Sequence, residues 1–227
     1  MSATKQQGTL IEIEGLDGSG KSTQIALLRE ALEARGLSPL CIKLPHYDDD
    51  SSLLVRRYLA GTFGAKPGDV NAYQASTFYA ADRVSGYKTR WGADYESGRI
   101  LLADRYTGAN AFHQAAKLPE SEWASFFAWL YDFEYNKLAL PKPDLVVFLD
   151  MPPAVSSKLL SDRYQGDESK RDLHEADYTY LLRCREAALA AAEQADWAVI
   201  PCAEGDSPKS KESIHADILK HIGRILA

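Results

Sequence analysis

The chain has 227 residues, a length that suits one large domain or two small ones. It is long enough to fold without disulfides or a structural metal. Lys and Arg total 26 against 32 Asp and Glu, a net charge of -6, which excludes a cationic coat for nucleic-acid polymers but not a local pocket for a small anion. The three cysteines, Cys41, Cys184 and Cys202, lie far apart, with no metal-ligand spacing around them. That pattern argues against a disulfide framework or a zinc site and makes a reducing cytoplasm the default compartment. Met1–Gln7 is polar, without the apolar stretch of a secretory signal. No apolar run approaches ~18 residues, so no membrane association is expected.

Thr9–Glu14 reads as a short strand that ends in a glycine-rich turn. Ser22–Arg35 follows with Ile25, Leu28 and Leu32 at helical spacing, and Gly36 marks its end. Leu40–Leu44 is a second strand, stopped by Pro45. Ser51–Leu59 and Val70–Tyr87 read as helices. Ile100–Asp104 is a short apolar strand closed by a carboxylate. Thr107–Lys117 and Glu120–Leu138 read as helices, after which Pro141 and Pro143 break the chain. Asp144–Asp150 has the apolar interior of a strand covered on both faces. Ser161–Glu175 is charged with weak periodicity, Ala176–Ala195 is an alanine-rich helix, Trp197–Ile200 a last strand and Ser210–Leu226 a last helix.

This alternation predicts an α/β domain over residues 1–227, with an open, mostly parallel sheet covered by helices. Ligands of such sheets sit beyond the carboxyl ends of the strands. Chemistry is therefore expected just after Glu14, Leu44, Asp104 and Asp150.

The first of these places carries Gly15-Leu-Asp-Gly-Ser-Gly-Lys-Ser22, which fits the phosphate-loop pattern G-x-x-x-x-G-K-[ST] between a strand and a helix. The glycines let the backbone curl so that successive amides face phosphate oxygens, and the helix adds its positive end. Gly15, Asp17, Gly18, Ser19, Gly20, Lys21, Ser22 and Thr23 form the expected cradle. Lys21 would reach the β- and γ-phosphates and Ser22 would ligate Mg²⁺. The motif alone does not separate GTPases, ATPases and kinases.

Three further features narrow the choice. Asp104-Arg105-Tyr106 puts a carboxylate suited to Mg²⁺ or its waters, and a guanidinium suited to a phosphoryl group, at one strand end. Tyr79 and Arg83 are four apart on one helix face, where a ring and a guanidinium would grip a base and its phosphate. Residues 161–175 carry Arg163, Lys170 and Arg171 among acids, as a lid bringing cations onto transferring phosphates would. Each has a plainer reading as well: a strand-end ion pair, a core tyrosine beside a solvated arginine, and a solvated loop.

Taken in order, the loop Gly15–Ser22 with Thr23-Gln24, Lys43-Leu-Pro45, Phe78–Arg83, Asp104-Arg-Tyr106 and Leu140-Pro-Lys-Pro-Asp-Leu145 resemble the thymidylate kinases. The resemblance runs from about Thr9 to the last helix. It implies a P-loop NTPase-type three-layer α/β/α fold with a five-stranded parallel sheet and a helical lid. It implies transfer of the γ-phosphoryl group of ATP to thymidine monophosphate (dTMP), with Mg²⁺, by a homodimer packed through helices. On this resemblance Asp17 approaches the sugar 3′-hydroxyl and Tyr79 stacks on thymine. Arg83 holds the base or acceptor phosphate, and Arg105 grips that phosphate. Asn110, His113 and Gln114 contact the base and crowd out a 2′-hydroxyl. Two positions depart from the family. Gly18 stands where one branch carries a loop arginine, which points to a lid-borne catalytic arginine, Arg163 first. Tyr47 stands where a phosphate-gripping arginine is common, followed by Asp48, Asp49 and Asp50.

Lys21, Asp104, Arg105 and Arg163 are thus the expected catalytic set, with Ser22 and Asp104 at the metal. Two rivals stay open at this level. A deoxynucleoside kinase would need a carboxylate base after the second strand, near Asp48–Asp50. A nucleotide-binding switch would need no second phosphate-gripping set.

Overall fold

The computed structural model describes residues 7–64, 66–163 and 178–226. Strands β1 (Thr9–Glu14), β2 (Leu40–Lys43), β3 (Ile100–Asp104), β4 (Leu145–Asp150) and β5 (Ala198–Pro201) form one sheet in the order β2-β3-β1-β4-β5. Every pairing in it is parallel. β1 is central, so the turn that follows it emerges at the middle of the sheet edge. β3 ends beside it, with Asp104 in register with Ile13 on one side and Lys43 on the other.

Side-chain alternation along β1 divides the core. Ile11 and Ile13 face α1 (Lys21–Glu33) and α9 (Lys211–Ile225), packing with Leu28, Val147, Ile218 and Ile222. The opposite face of the sheet is covered by α5 (Thr107–Ala115), α6 (Trp123–Tyr131) and α8 (Tyr178–Ala195), around Phe112, Phe126, Phe127 and Phe148. The small side chains of α8, Ala187, Ala188 and Ala191, are wholly buried and let that helix lie close.

On the same side, α3 (Ala72–Gly86) begins at a reciprocal cap between Asn71 and Gln74. It runs through a π turn, Tyr87–Trp91, into α4 (Gly92–Glu96). A second π turn, Asp132–Lys137, prolongs α6 and carries Glu134 into the interior. Short α2 (Leu53–Leu59) precedes α3, behind a 3₁₀ turn at Asp50–Ser52.

Two helices escaped the sequence pattern, short α4 and a longer one after β4. Pro153–Arg163 is α7, although Pro152-Pro153 looks like a break. Proline is tolerated in a first helical turn because its missing amide has no partner there anyway. The charged stretch thus opens inside a helix at Ser161. Residues 164–177, most of the expected lid, lie outside the described residues. Two-residue strands β6 (Ala203–Glu204) and β7 (Ser207–Pro208) make a small hairpin that was also not anticipated.

Candidate active site

The turn after β1 is built on left-handed glycines. Gly20 caps α1 at φ 91°, and Gly18 has φ 79°. A Cβ on Gly18 would stand 2.8 Å from the Ser156 carbonyl oxygen and 3.0 Å from Leu160 Cγ. α7 therefore closes the space a loop side chain at this position would need. An arginine there would require α7 to move.

Lys21 folds back over the loop. Its ammonium donates to the Gly15 and Leu16 carbonyls at 2.8 and 3.0 Å and stands 3.6 Å from Asp17. Burial, helped by Arg105, pulls it down to about 8. Phosphate oxygens arriving in the loop would push it back up. Arg105, between β3 and α5, holds φ 69°, which costs a non-glycine residue about 1–2 kcal/mol. Its guanidinium donates to Asp17 Oδ1 at 2.5 Å. Burial alone would raise the Asp17 carboxyl, but Arg105 and Lys21 outweigh it and hold the group well below the usual carboxylate range. At the loop mouth the Ser22 hydroxyl donates to Asp104 Oδ2 at 3.4 Å.

These groups open into one cleft of about 640 Å³. The loop supplies Asp17, Gly18, Gly20, Lys21, Ser22 and Thr23. The end of β3 supplies Asp104 and Arg105, α5 supplies Asn110, His113 and Gln114, and α3 supplies Tyr79. Gln114 is 1% exposed, and its Oε1 has no hydrogen-bond partner among the described residues. His113 stacks on Tyr180, with Cys184 Sγ 3.5 Å from its Nδ1. Gly15 and Ser19 do not line the cleft; the Ser19 amide is bonded to the Leu16 carbonyl at 3.1 Å and its hydroxyl is buried.

Arg83 is placed differently from expectation. It is 2% exposed and does not line the cleft. Its Nε donates to Glu134 Oε2 at 2.6 Å, its Nη2 to Glu134 Oε1, and its Nη1 to the Tyr106 carbonyl at 3.0 Å. Glu134 also accepts from Thr107 Oγ1 at 3.1 Å and Asn110 Nδ2 at 3.3 Å. The four-residue spacing to Tyr79 is real, but a carboxylate brought in by the distant π turn claims the guanidinium.

The chain also brings Lys43, Pro45, Tyr47, Leu159 and Leu160 to the cleft. Lys43 and Pro45 stand at the carboxyl end of a strand, a signal that could have marked them. Leu159 and Leu160 depend on the unrecognised α7. None of Asp48, Asp49 and Asp50 lines the cleft. Asp48 and Asp50 are exposed, while Asp49 caps the 3₁₀ turn through the Ser51 amide and pairs with Arg90 at 2.5 Å. Arg163 ends α7, but its side chain lies outside the described residues, as do Lys170 and Arg171.

A parallel sheet with a phosphate loop at its centre, and a second arginine-bearing wall across one cleft, defines a P-loop phosphotransferase. The sequence matches the thymidylate kinase family over residues 13–218. It is 34% identical over 176 residues to the thymidylate kinase of Mycobacterium tuberculosis (strain CDC 1551 / Oshkosh), covering 74% of this chain and 78% of that one. It is 29% identical over 219 residues to a probable thymidylate kinase of Pyrobaculum aerophilum, covering 95% and 97%. The fold is similar to the solved thymidylate kinase of Candida albicans, with TM-score 0.68 at 20% identity, over 96% of this chain and 92% of that one. The chain belongs to the thymidylate kinase family, phosphotransferases that use ATP to convert dTMP to its diphosphate. That membership decides against the deoxynucleoside kinase and the bare nucleotide switch. Among the described residues no helix is long and apolar enough to cross a membrane.

The buried pair makes a testable demand. Glu134→Leu leaves the Arg83 charge without its partner and should cost about 3–5 kcal/mol in urea unfolding. A loss under 1 kcal/mol would mean that Arg83 is not held as described.

Proposed function

We propose the following division of labour in phosphoryl transfer from ATP to dTMP. Lys21 and the loop amides hold the ATP phosphates, and Arg105 holds the acceptor phosphate. Asp17 turns to the sugar 3′-hydroxyl once the acceptor phosphate takes over Arg105. Tyr79 stacks on the base, while Asn110, His113 and Gln114 line its edge. The unpartnered Gln114 Oε1 suits the ring N–H of thymine, which offers a donor. The observation that carries this reading is the Lys21–Asp17–Arg105 chain, which links the phosphate loop to the α5 wall across one cleft.

Ser22 and Asp104 would hold Mg²⁺, because a hydroxyl and a carboxylate at the loop mouth are the hard oxygen donors it prefers. Among the described residues no group of three or more His, Cys, Asp or Glu could hold a metal alone, which suits an ion that shares its shell with nucleotide phosphates and water. When bound, Mg²⁺ neutralises charge on the transferring phosphates. The acceptor oxygen is already nucleophilic, so no strong base is needed, and Asp104 orients rather than deprotonates. Positioning and fixed positive charge carry the rate. Gly18 against α7 favours a cation from outside the loop, and Arg163 is the first candidate, on a lid at about 161–175 within one kinase domain of residues 1–227. Three free cysteines suit the cytoplasm. Leu53 and Leu54, adjacent at the start of α2 and 41% and 42% exposed, are the proposed apolar contact of a homodimer.

Arg105→Ala should cut kcat for dTMP about a hundredfold or more with unchanged circular dichroism, and near wild-type turnover would sink its role. Arg163→Ala should lower kcat more than it raises the ATP KM; a change in KM alone would remove it from the chemistry. Leu54→Glu should shift sedimentation velocity from dimer to monomer, and an unchanged dimer would exclude that face.

A further inference from the structure

Glu12 and Glu14 are two apart on β1 and so point to the same face of the sheet, the face covered by α5. Both side chains are wholly buried. Glu12 Oε1 accepts the Gly108 amide at 2.7 Å. Glu14 Oε1 accepts the amides of Tyr106 and Ala109 at 2.9 and 3.0 Å. These amides belong to the N-terminal turn of α5, where no carbonyl of the helix can reach them. The contact is close. A Cβ on Gly108 would come within 2.7 Å of Glu12 Oε1 and 3.1 Å of Glu14 Cγ, so glycine lets the helix seat on the pair.

The second oxygen of each glutamate, Oε2, is buried without a protein donor among the described residues. The two carboxyls are close neighbours, since the same point above Gly108 lies 2.7 Å from Glu12 Oε1 and 3.1 Å from Glu14 Cγ. Their charged neighbours are engaged elsewhere: Arg83 with Glu134, Arg105 with Asp17, and Lys21 with two carbonyls. Tyr131, Tyr135 and Tyr106 lie in the same buried neighbourhood and bring no cation, and the Tyr131 hydroxyl is itself without a partner among the described residues. Two ionised carboxylates in this buried space would repel, while one proton between them would give each second oxygen a partner. Burial pushes both groups up, Glu12 the further because Glu14 stands beside it, whereas Arg105 opposes the rise at Glu14.

We propose that Glu12 and Glu14 share one proton and together act as the positioning pair of α5, the helix that carries Asn110, His113 and Gln114 into the cleft directly after Arg105. The role rests on the reading of α5 as the acceptor wall.

Infrared difference spectra of the full chain at neutral pH, wild type minus Glu12→Gln, test the proton itself. A protonated-carboxyl stretch should be present in the wild type and absent in the variant, whose amide supplies the hydrogen instead. No such band overturns the sharing. Steady-state kinetics test the positioning. Glu12→Gln should keep kcat/KM for dTMP within about twofold, while Glu12→Leu should lose about tenfold or more with the ATP KM unchanged. Equal damage in both variants overturns the shared proton, and wild-type kinetics in Glu12→Leu overturn the positioning role. A rise in ATP KM alone overturns the acceptor-wall reading, with the infrared band still judging the pair. Should Glu12→Leu fail to fold, Gly108→Ala, which lifts the helix off the pair, must give the same dTMP-specific loss or the proposal falls.

Discussion

The constraint on which the cleft depends is the anchoring of the α5 N-terminus. Three buried carboxyls meet there. Glu12 and Glu14 rise from β1 to the backbone amides, and Glu134 comes from the π turn to the Thr107 and Asn110 side chains. Arg83 closes the group by joining Glu134 to the Tyr106 carbonyl. Each buried charge carries a desolvation cost that apolar packing would avoid. What the arrangement supplies in return is direction. A helix end held from two sides cannot swing, and Arg105, one residue before Tyr106, inherits that fixity. Its left-handed backbone is tolerated because β3 on one side and the gripped helix on the other leave it no room to relax.

The phosphate loop is held by a different principle. Its glycines adopt conformations other residues resist, and the space above Gly18 is filled by α7. Loop and α5 thus have independent supports, one from the strand-to-helix turn and one from buried carboxyls. β1 is common to both. The strand that leads into the loop also presents the two glutamates that seat α5, so the proposed donor and acceptor walls share one rigid reference. For a reaction that depends on placing two phosphates in line, a common reference matters more than the strength of any single contact.

Much of this was legible in the sequence, and the part that was not has a physical reason. The strands were readable because both faces of a parallel sheet are buried and leave short apolar runs, as in Asp144–Asp150. The loop was readable because its constraint is local, fixed by glycines at set spacing. Arg83 was not, since its partner Glu134 arrives through a π turn that breaks the helical period. Glu12 and Glu14 read as an ordinary strand's polar positions; only the helix folded over them reveals that they face inward. α7 was hidden by its prolines, and with it the leucines that reach the cleft. Local rules pointed to the sheet end where the loop, Asp104 and Arg105 line one cleft, while the supports beneath it are contacts between distant segments.

The net charge of -6 acquires a meaning from this geometry. Asp17 pairs with Arg105 and stands 3.6 Å from Lys21, so the two cations proposed to receive phosphate are compensated within the protein. Without that carboxylate, the buried Lys21 and half-buried Arg105 cations would repel each other and destabilise the loop. With it, on the proposed assignment, an arriving phosphate would exchange for an internal partner instead of meeting a bare charge. The exchange lowers the affinity gained on binding, because the internal pair must first be broken. On the proposed assignment it would also free Asp17 for the sugar hydroxyl. Local compensation of this kind lets an acidic protein carry a cationic cleft for two polyanions while the rest of its surface keeps the excess acid that a small-anion enzyme does not need to hide.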